Sequence, residues 1–240
     1  GANDGCSIIK FKKIIEYKKI KDYRIYSFEP HPFFNKYLSK LEENDKNVVF
    51  IQKLIGINNN VQRLYLSQES DGGSSIYYDK MTNYIDKRFY ILCETIDIVE
   101  FFDTLPVHDE LWLKMDIEGA EYEIIPYLKE KNCLNSIDKL FIEWHYDKID
   151  SITIDKHTNV YNMVKHLNMG IWDALEFSKN KKNEYQNFIK DIKISIIKKN
   201  TNKEFVCGKC FKSFDKYTSF KKHIYLIHPN NNFEKKYRCL

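Results

Sequence analysis

Three carboxylates in this chain stand directly after short apolar runs: Glu29 after YRIYSF, Asp116 after LWLKM and Glu143 after LFI. A carboxylate in such a place can accept hydrogen bonds from hydroxyl groups or take a proton from one. Lys114 precedes Asp116 by two residues, on the same face of an extended segment. There it can lower that acid's pKa or touch a ligand, or it can snorkel from the sheet end. His145 follows Glu143 by two residues and offers either a second base or a hydrogen-bonded structural imidazole. Glu143 in turn suits a ligand contact or the orienting of His145 or a lysine. At the opposite end of the chain, Cys207-x2-Cys210 is followed after twelve residues by His223-x4-His228. Two thiolates from a hairpin and two imidazoles one helical turn apart close a tetrahedral Zn2+ site. Phe214 and Phe220 fall at the two core positions that a C2H2 finger needs, which a redox Cys-x-x-Cys would leave unexplained.

The elements that must position these groups are read from periodicity. YRIYSFEP (23–30), NVVFIQKLIG (47–56), VQRLYLSQ (61–68), ELWLKMDIEGAE (110–121, breaking at Gly119) and DKLFIEWH (138–145) read as strands. PFFNKYLSKLEEN (32–44), EYEIIPYLKE (121–130) and VYNMVKHLN (160–168) read as helices, and IWDALEFSK (171–179) with DIKISIIKK (191–199) as an antiparallel pair. Alternation of this kind predicts an α/β fold with a largely parallel sheet, in which ligands bind at the carboxyl ends of the strands. The opening GANDG is a glycine turn leading into a helix, CSIIKFKKII. Such a turn lets backbone approach a ligand and presents unpaired N–H groups. An acid at the end of the following strand, Glu29, suits the diol of a ribose. The G-x-G-x-x-G pattern of a dinucleotide site is absent.

The chain has 240 residues, 43% hydrophobic and 30% charged, enough for one large domain with a core and a small appendage. No apolar run reaches the ~20 residues of a membrane span, and no secretory leader is visible, so an intracellular protein, cytoplasmic or nuclear, without a membrane partner is expected. From Lys198 to Leu240 there are 11 Lys and Arg against 3 Asp and Glu, a net of +8, while the rest carries −4. A basic end on a mildly acidic body suits an anionic partner or a solvated lysine-rich tail. Cys6, Cys93 and Cys133 read as reduced thiols in or near the core, and Cys239 as a free thiol.

GANDG, YSFEP, GGSS (72–75), CETIDIVEFF (93–102), LKMDIEGAE (113–121) and FIEWH (141–145) together resemble, in order and spacing, the FkbM-type methyltransferases. The resemblance covers roughly residues 1 to 199 and is most specific in LKMDIEGAE. It implies a class I methyltransferase, Rossmann-like sheet using S-adenosylmethionine. Carried over by position, Gly1, Asn3, Asp4 and Gly5 would wrap the methionine end of the cofactor and Glu29 would hold its ribose. Asp116 would face the methyl-bearing sulfur and the acceptor, with Glu118, Glu143 and His145 on the acceptor side and Lys114 beside Asp116. The same resemblance places a buried strand ahead of GANDG, so the domain is read as lacking its first strand.

Two modules are therefore expected: a methyltransferase-like domain over 1–199 and a C2H2 zinc finger over 205–230, joined by KKNTNKE (198–204). The expected activity is methylation of a hydroxyl-bearing acceptor, with the finger recruiting the domain to nucleic acid or protein. Lys216, Ser219 and Lys222 occupy the base-reading positions of such a finger, but one finger spans only ~3 base pairs. Lys114, Asp116 and Glu143 are also partly similar to the Lys/Asp/Lys/Glu set of RNA ribose 2′-O-methyltransferases. The competing reading is a finger-bearing adaptor whose methyltransferase-like body no longer turns over.

Overall fold

A computed structural model describes residues 1–68, 72–82, 84–170, 172, 186–190, 205–206 and 213–214. The chain forms two compact units, Gly1–Gln186 and Asn187–Leu240. In the first, helix α1 (Cys6–Tyr17) starts at Gly5, whose φ of 86° is open to glycine at little cost. A Cβ there would come within 2.3 Å of Leu41, so Gly5 also allows α1 to meet the next helix closely. Asp4 caps the helix, its Oδ1 accepting the Cys6 N–H at 3.0 Å.

Strand β1 (Ile25–Phe28) lies parallel to β2 (Val48–Ile51), with helix α2 (Asn35–Asn44) as the crossover. Leu38 on α2 and Phe34 just before it are fully buried, which explains why this polar-rich helix holds. The run 47–56 expected as one strand is two, because the chain turns at Gln52 and Lys53 into β3 (Leu54–Gly56). Strand β4 (Val61–Ser67) pairs antiparallel with β5 (Ile85–Asp97), and β3 pairs parallel with the far end of β5. The sequence reading missed β5: its charged DKR segment hides the apolar alternation that follows.

Helix α3 (Ile98–Asp103) is capped by Asp97, whose carboxylate accepts the Val99 and Glu100 N–H groups. Strand β6 (Trp112–Met115) is shorter than expected, ending just before Asp116, where the turn toward Gly119 begins. It runs parallel to β7 (Lys139–Ile142), and helix α4 (Glu121–Glu130) connects them. Helix α5 (Ile154–Val164) starts earlier and ends earlier than its apolar pattern suggested, because Thr153 caps its first turn by accepting the Lys156 N–H. The largest core cluster lies between α4, α5 and β7, with Ile125, Leu128, Leu140 and Val164 at zero exposure.

The expected single sheet is thus seen as three small hydrogen-bonded sheets in a mixed α/β body, and its strand pairs are parallel except for β4 with β5. The start of the chain lies between the carboxyl ends of two of these sheets: the Ala2 N–H donates to Phe28 O at 2.8 Å, and the Gly1 amino group meets Asp116 O. IWDALEFSK and DIKISIIKK lie outside the described residues apart from Trp172. Among the described residues no helix is long and apolar enough to cross a membrane. In the second unit a short antiparallel hairpin, β8 (Phe205–Val206) with β9 (Ser213–Phe214), brackets Cys207 and Cys210 in the sequence. The four candidate metal residues Cys207, Cys210, His223 and His228 lie outside the described residues.

Candidate active site

Each of the three acids singled out in the sequence stands one residue beyond a parallel strand: Glu29 after β1, Asp116 after β6 and Glu143 after β7. All three line one cleft of about 260 Å³, together with Gly1, Asn3, Glu118 and the Gly72–Gly73 turn. Parallel strands explain the convergence, because their carboxyl ends point the same way and the chain must turn there.

On one side, Glu29 organises the backbone of the opening turn. Its Oε2 accepts the Asn3 N–H at 2.8 Å and its Oε1 accepts the His31 N–H at 2.9 Å. Burial raises its pKa, opposed by the nearby amino group and those two N–H bonds. Asn3 adopts φ 50°, and its buried Oδ1 has no hydrogen-bond partner. A Cβ on Gly1 would lie 2.6 Å from the Glu29 carboxylate, and one on Gly72 would lie 3.0 Å from the Asn3 amide nitrogen. Asp4 and Gly5 are outside the lining; the former caps α1 and the latter faces Leu41.

On the other side, charges interlock around Asp116. Lys114 Nζ donates to Asp116 Oδ2 at 2.9 Å, as expected from their two-residue spacing on one strand face. Burial by itself would lift the Asp116 carboxyl, but the Gly1 amino group and Lys114 hold it at about 2. His145 has no exposed surface and lies behind the acids rather than in the cleft wall. Its Nδ1 meets Glu121 Oε1 at 2.9 Å, and its Nε2 stands 3.4 Å from Glu118, 3.6 Å from Glu143 and 3.8 Å from Asp116. Burial would lower its pKa, yet the Glu121 hydrogen bond and the charges of Glu143 and Glu118 raise it to about 9. Glu143, nearly half exposed, also receives Lys148 Nζ at 3.4 Å.

Two residues here, Lys80 and Glu121, escaped the sequence reading; the first of them meets Glu118, which the resemblance puts on the acceptor side and which lines the cleft. Glu118 has φ 55°, and its carbonyl accepts the Ser75 hydroxyl at 2.6 Å. Its carboxylate is paired with Lys80, a lysine whose side chain is fully buried and whose Nζ also donates to Gly73 O at 2.9 Å. Glu121, fully buried, links His145 to the Gly119 N–H at 3.0 Å. The alternating acids of DIEGAE were the signal available for Glu121. Nothing in the sequence around Lys80 marks it as buried.

The family model for the methyltransferase FkbM domain matches residues 1–181. No curated protein and no solved structure matches the chain.

Proposed function

Because this chain belongs to the FkbM methyltransferase family, we propose that it transfers a methyl group from S-adenosylmethionine to the hydroxyl oxygen of an acceptor. The observation that carries this reading is the shared cleft: Glu29 and Asp116, expected to serve cofactor and acceptor, face one hollow beside Gly1 and Asn3. Its residues suit the cofactor. Each Glu29 oxygen keeps a second lone pair for a ribose hydroxyl beyond its N–H bond. The partnerless Asn3 Oδ1 offers a buried acceptor for an ammonium group. The close backbone at Gly1 and Gly72 leaves no room for a side chain where a ligand would press against the turn.

When bound, S-adenosylmethionine supplies the methyl carbon and a thioether leaving group. The protein's part is alignment and exclusion of water. Asp116, ionised at neutral pH, accepts a hydrogen bond from the acceptor hydroxyl and orients its oxygen. Its ion pair with Lys114 makes it a positioning acceptor more than a strong base. Lys114 keeps that carboxylate charged and pointed. His145, held from behind by Glu121, acts through the acids around it. Glu143, the most exposed of the three, lies at the acceptor's entrance and suits the departing proton.

Calorimetric titration of the folded chain with S-adenosylmethionine tests this. Saturable binding with one site supports it; a folded sample with no binding heat favours the adaptor reading. The C-terminal module we read as a Zn2+ finger that recruits the domain to nucleic acid or protein, a reading supported by the antiparallel pairing of Phe205–Val206 with Ser213–Phe214, which flank Cys207 and Cys210 in the sequence. Native mass measurement with and without chelator checks it: one zinc lost with unfolding of the tail is expected.

A further inference from the structure

We propose that Asp116, Glu118 and His145 form a site for one divalent transition cation, the two acids in the wall of the cleft and His145 reaching them from behind, with Glu143 at its rim. The donor atoms of the first three lie within 4.8 Å of one another. The decisive group is His145 Nε2, which is fully buried, has no hydrogen-bond partner and points among the carboxylates. Its separations of 3.4, 3.6 and 3.8 Å from Glu118, Glu143 and Asp116 all exceed the roughly 2.7–3.2 Å usual for N–H···O bonds. They suit ligands of a common ion. Two donors each ~2.1 Å from a metal, at angles between octahedral and tetrahedral, stand roughly 3.0–3.4 Å apart, so only small side-chain movements close the site.

The surrounding shell is also that of a metal histidine. The buried Glu121 holds Nδ1, which fixes the ring and leaves Nε2 as the nitrogen facing the cluster; a carboxylate behind a ligating imidazole is the usual arrangement. The lysines do not block the site. Lys114 takes Asp116 Oδ2, leaving Oδ1 toward His145, and Lys80 occupies one lone pair of a Glu118 oxygen that has two. One imidazole with two or three carboxylates favours Mn2+ or Fe2+ over Ca2+, which prefers oxygen alone. Asp116, Glu118 and Glu143 all line the cleft, so open coordination positions would face it. Resting on the methyl-transfer reading, such an ion would bind the acceptor hydroxyl and ease loss of its proton.

The test uses the full chain, stripped with chelator and titrated with MnCl2 without S-adenosylmethionine, following free Mn2+ by electron paramagnetic resonance. One saturable site is expected, weakened at least tenfold in Asp116→Asn and in Glu118→Gln. In the unaltered chain, substoichiometric Mn2+ should broaden the nuclear magnetic resonances of Ile117 and Ala120 first, which needs no variant. No saturation at millimolar Mn2+, broadening confined to other regions, or unchanged affinity in both folded variants would overturn the proposal. Because the cofactor is absent, cofactor binding and metal binding can fail separately.

Discussion

His145 Nδ1 and Glu121 Oε1 stand 2.9 Å apart, both side chains without exposed surface. The contact joins the end of β7 to the start of α4, and the second Glu121 oxygen holds the Gly119 N–H. The segments that carry Glu118 and Glu143 into the cleft are therefore tied together behind it by one buried contact. Glu121→Ala should leave an uncompensated buried imidazole and cost about 3–5 kcal/mol. Urea unfolding checks this, and a midpoint within error of the parent would show that the pair is dispensable.

Gly119 carries φ +112°, and a Cβ there would meet Ile149 at 2.3 Å and Tyr77 at 2.9 Å. Gly119→Ala should cost about 2 kcal/mol through backbone strain and crowding. Since the displaced turn carries Glu118, ligand binding in the cleft should weaken as well. Thermal denaturation and cofactor calorimetry on the same sample read the two effects.

Glu29 accepts two backbone N–H groups while facing the cleft. Glu29→Gln keeps the shape and removes the charge. Charge-assisted hydrogen bonds contribute about 1.5–3 kcal/mol, so S-adenosylmethionine should bind roughly 10- to 100-fold more weakly. An unchanged Kd would remove Glu29 from the cofactor site.

His31 is buried, with its Nδ1 accepting the Phe33 N–H, and burial lowers its pKa to about 3. Between pH 6.5 and 3 the unfolded chain binds a proton there that the folded chain refuses. Stability from this group is complete above 6.5 and falls as pH drops, by at most about 1.4 kcal/mol per pH unit. Unfolding midpoints at pH 7 and pH 5 should diverge more for the parent than for His31→Gln. Equal divergence would mean that His31 titrates normally.

The three acids at the strand tips were legible because each follows an apolar run whose end marks where a parallel strand must turn. Helix α4 was legible to the residue, since its apolar spacing and the Gly119 break bound it on both sides. Strand β5 was not: it is stabilised by pairing with β3 and β4, and a pairing partner is not written in a strand's own residues. Of the opening turn, Gly1 and Asn3 line the cleft, while Gly5 meets Leu41 across the fold and Asp4 bonds the first turn of its own helix, contacts that no motif announces.

Local chemistry, then, could be taken from order and spacing alone: which acids end strands, which lysine shares a face with Asp116, and which four residues in the tail have zinc-ligand spacing. Partnership could not. Lys80 with Glu118, 38 residues apart, and His145 with Glu121, 24 apart, meet only after the chain has folded back on itself. Burial then makes each unpaired charge costly, so it is the folded packing, rather than any motif, that decides which charges neutralise one another and which nitrogen is left facing the acids.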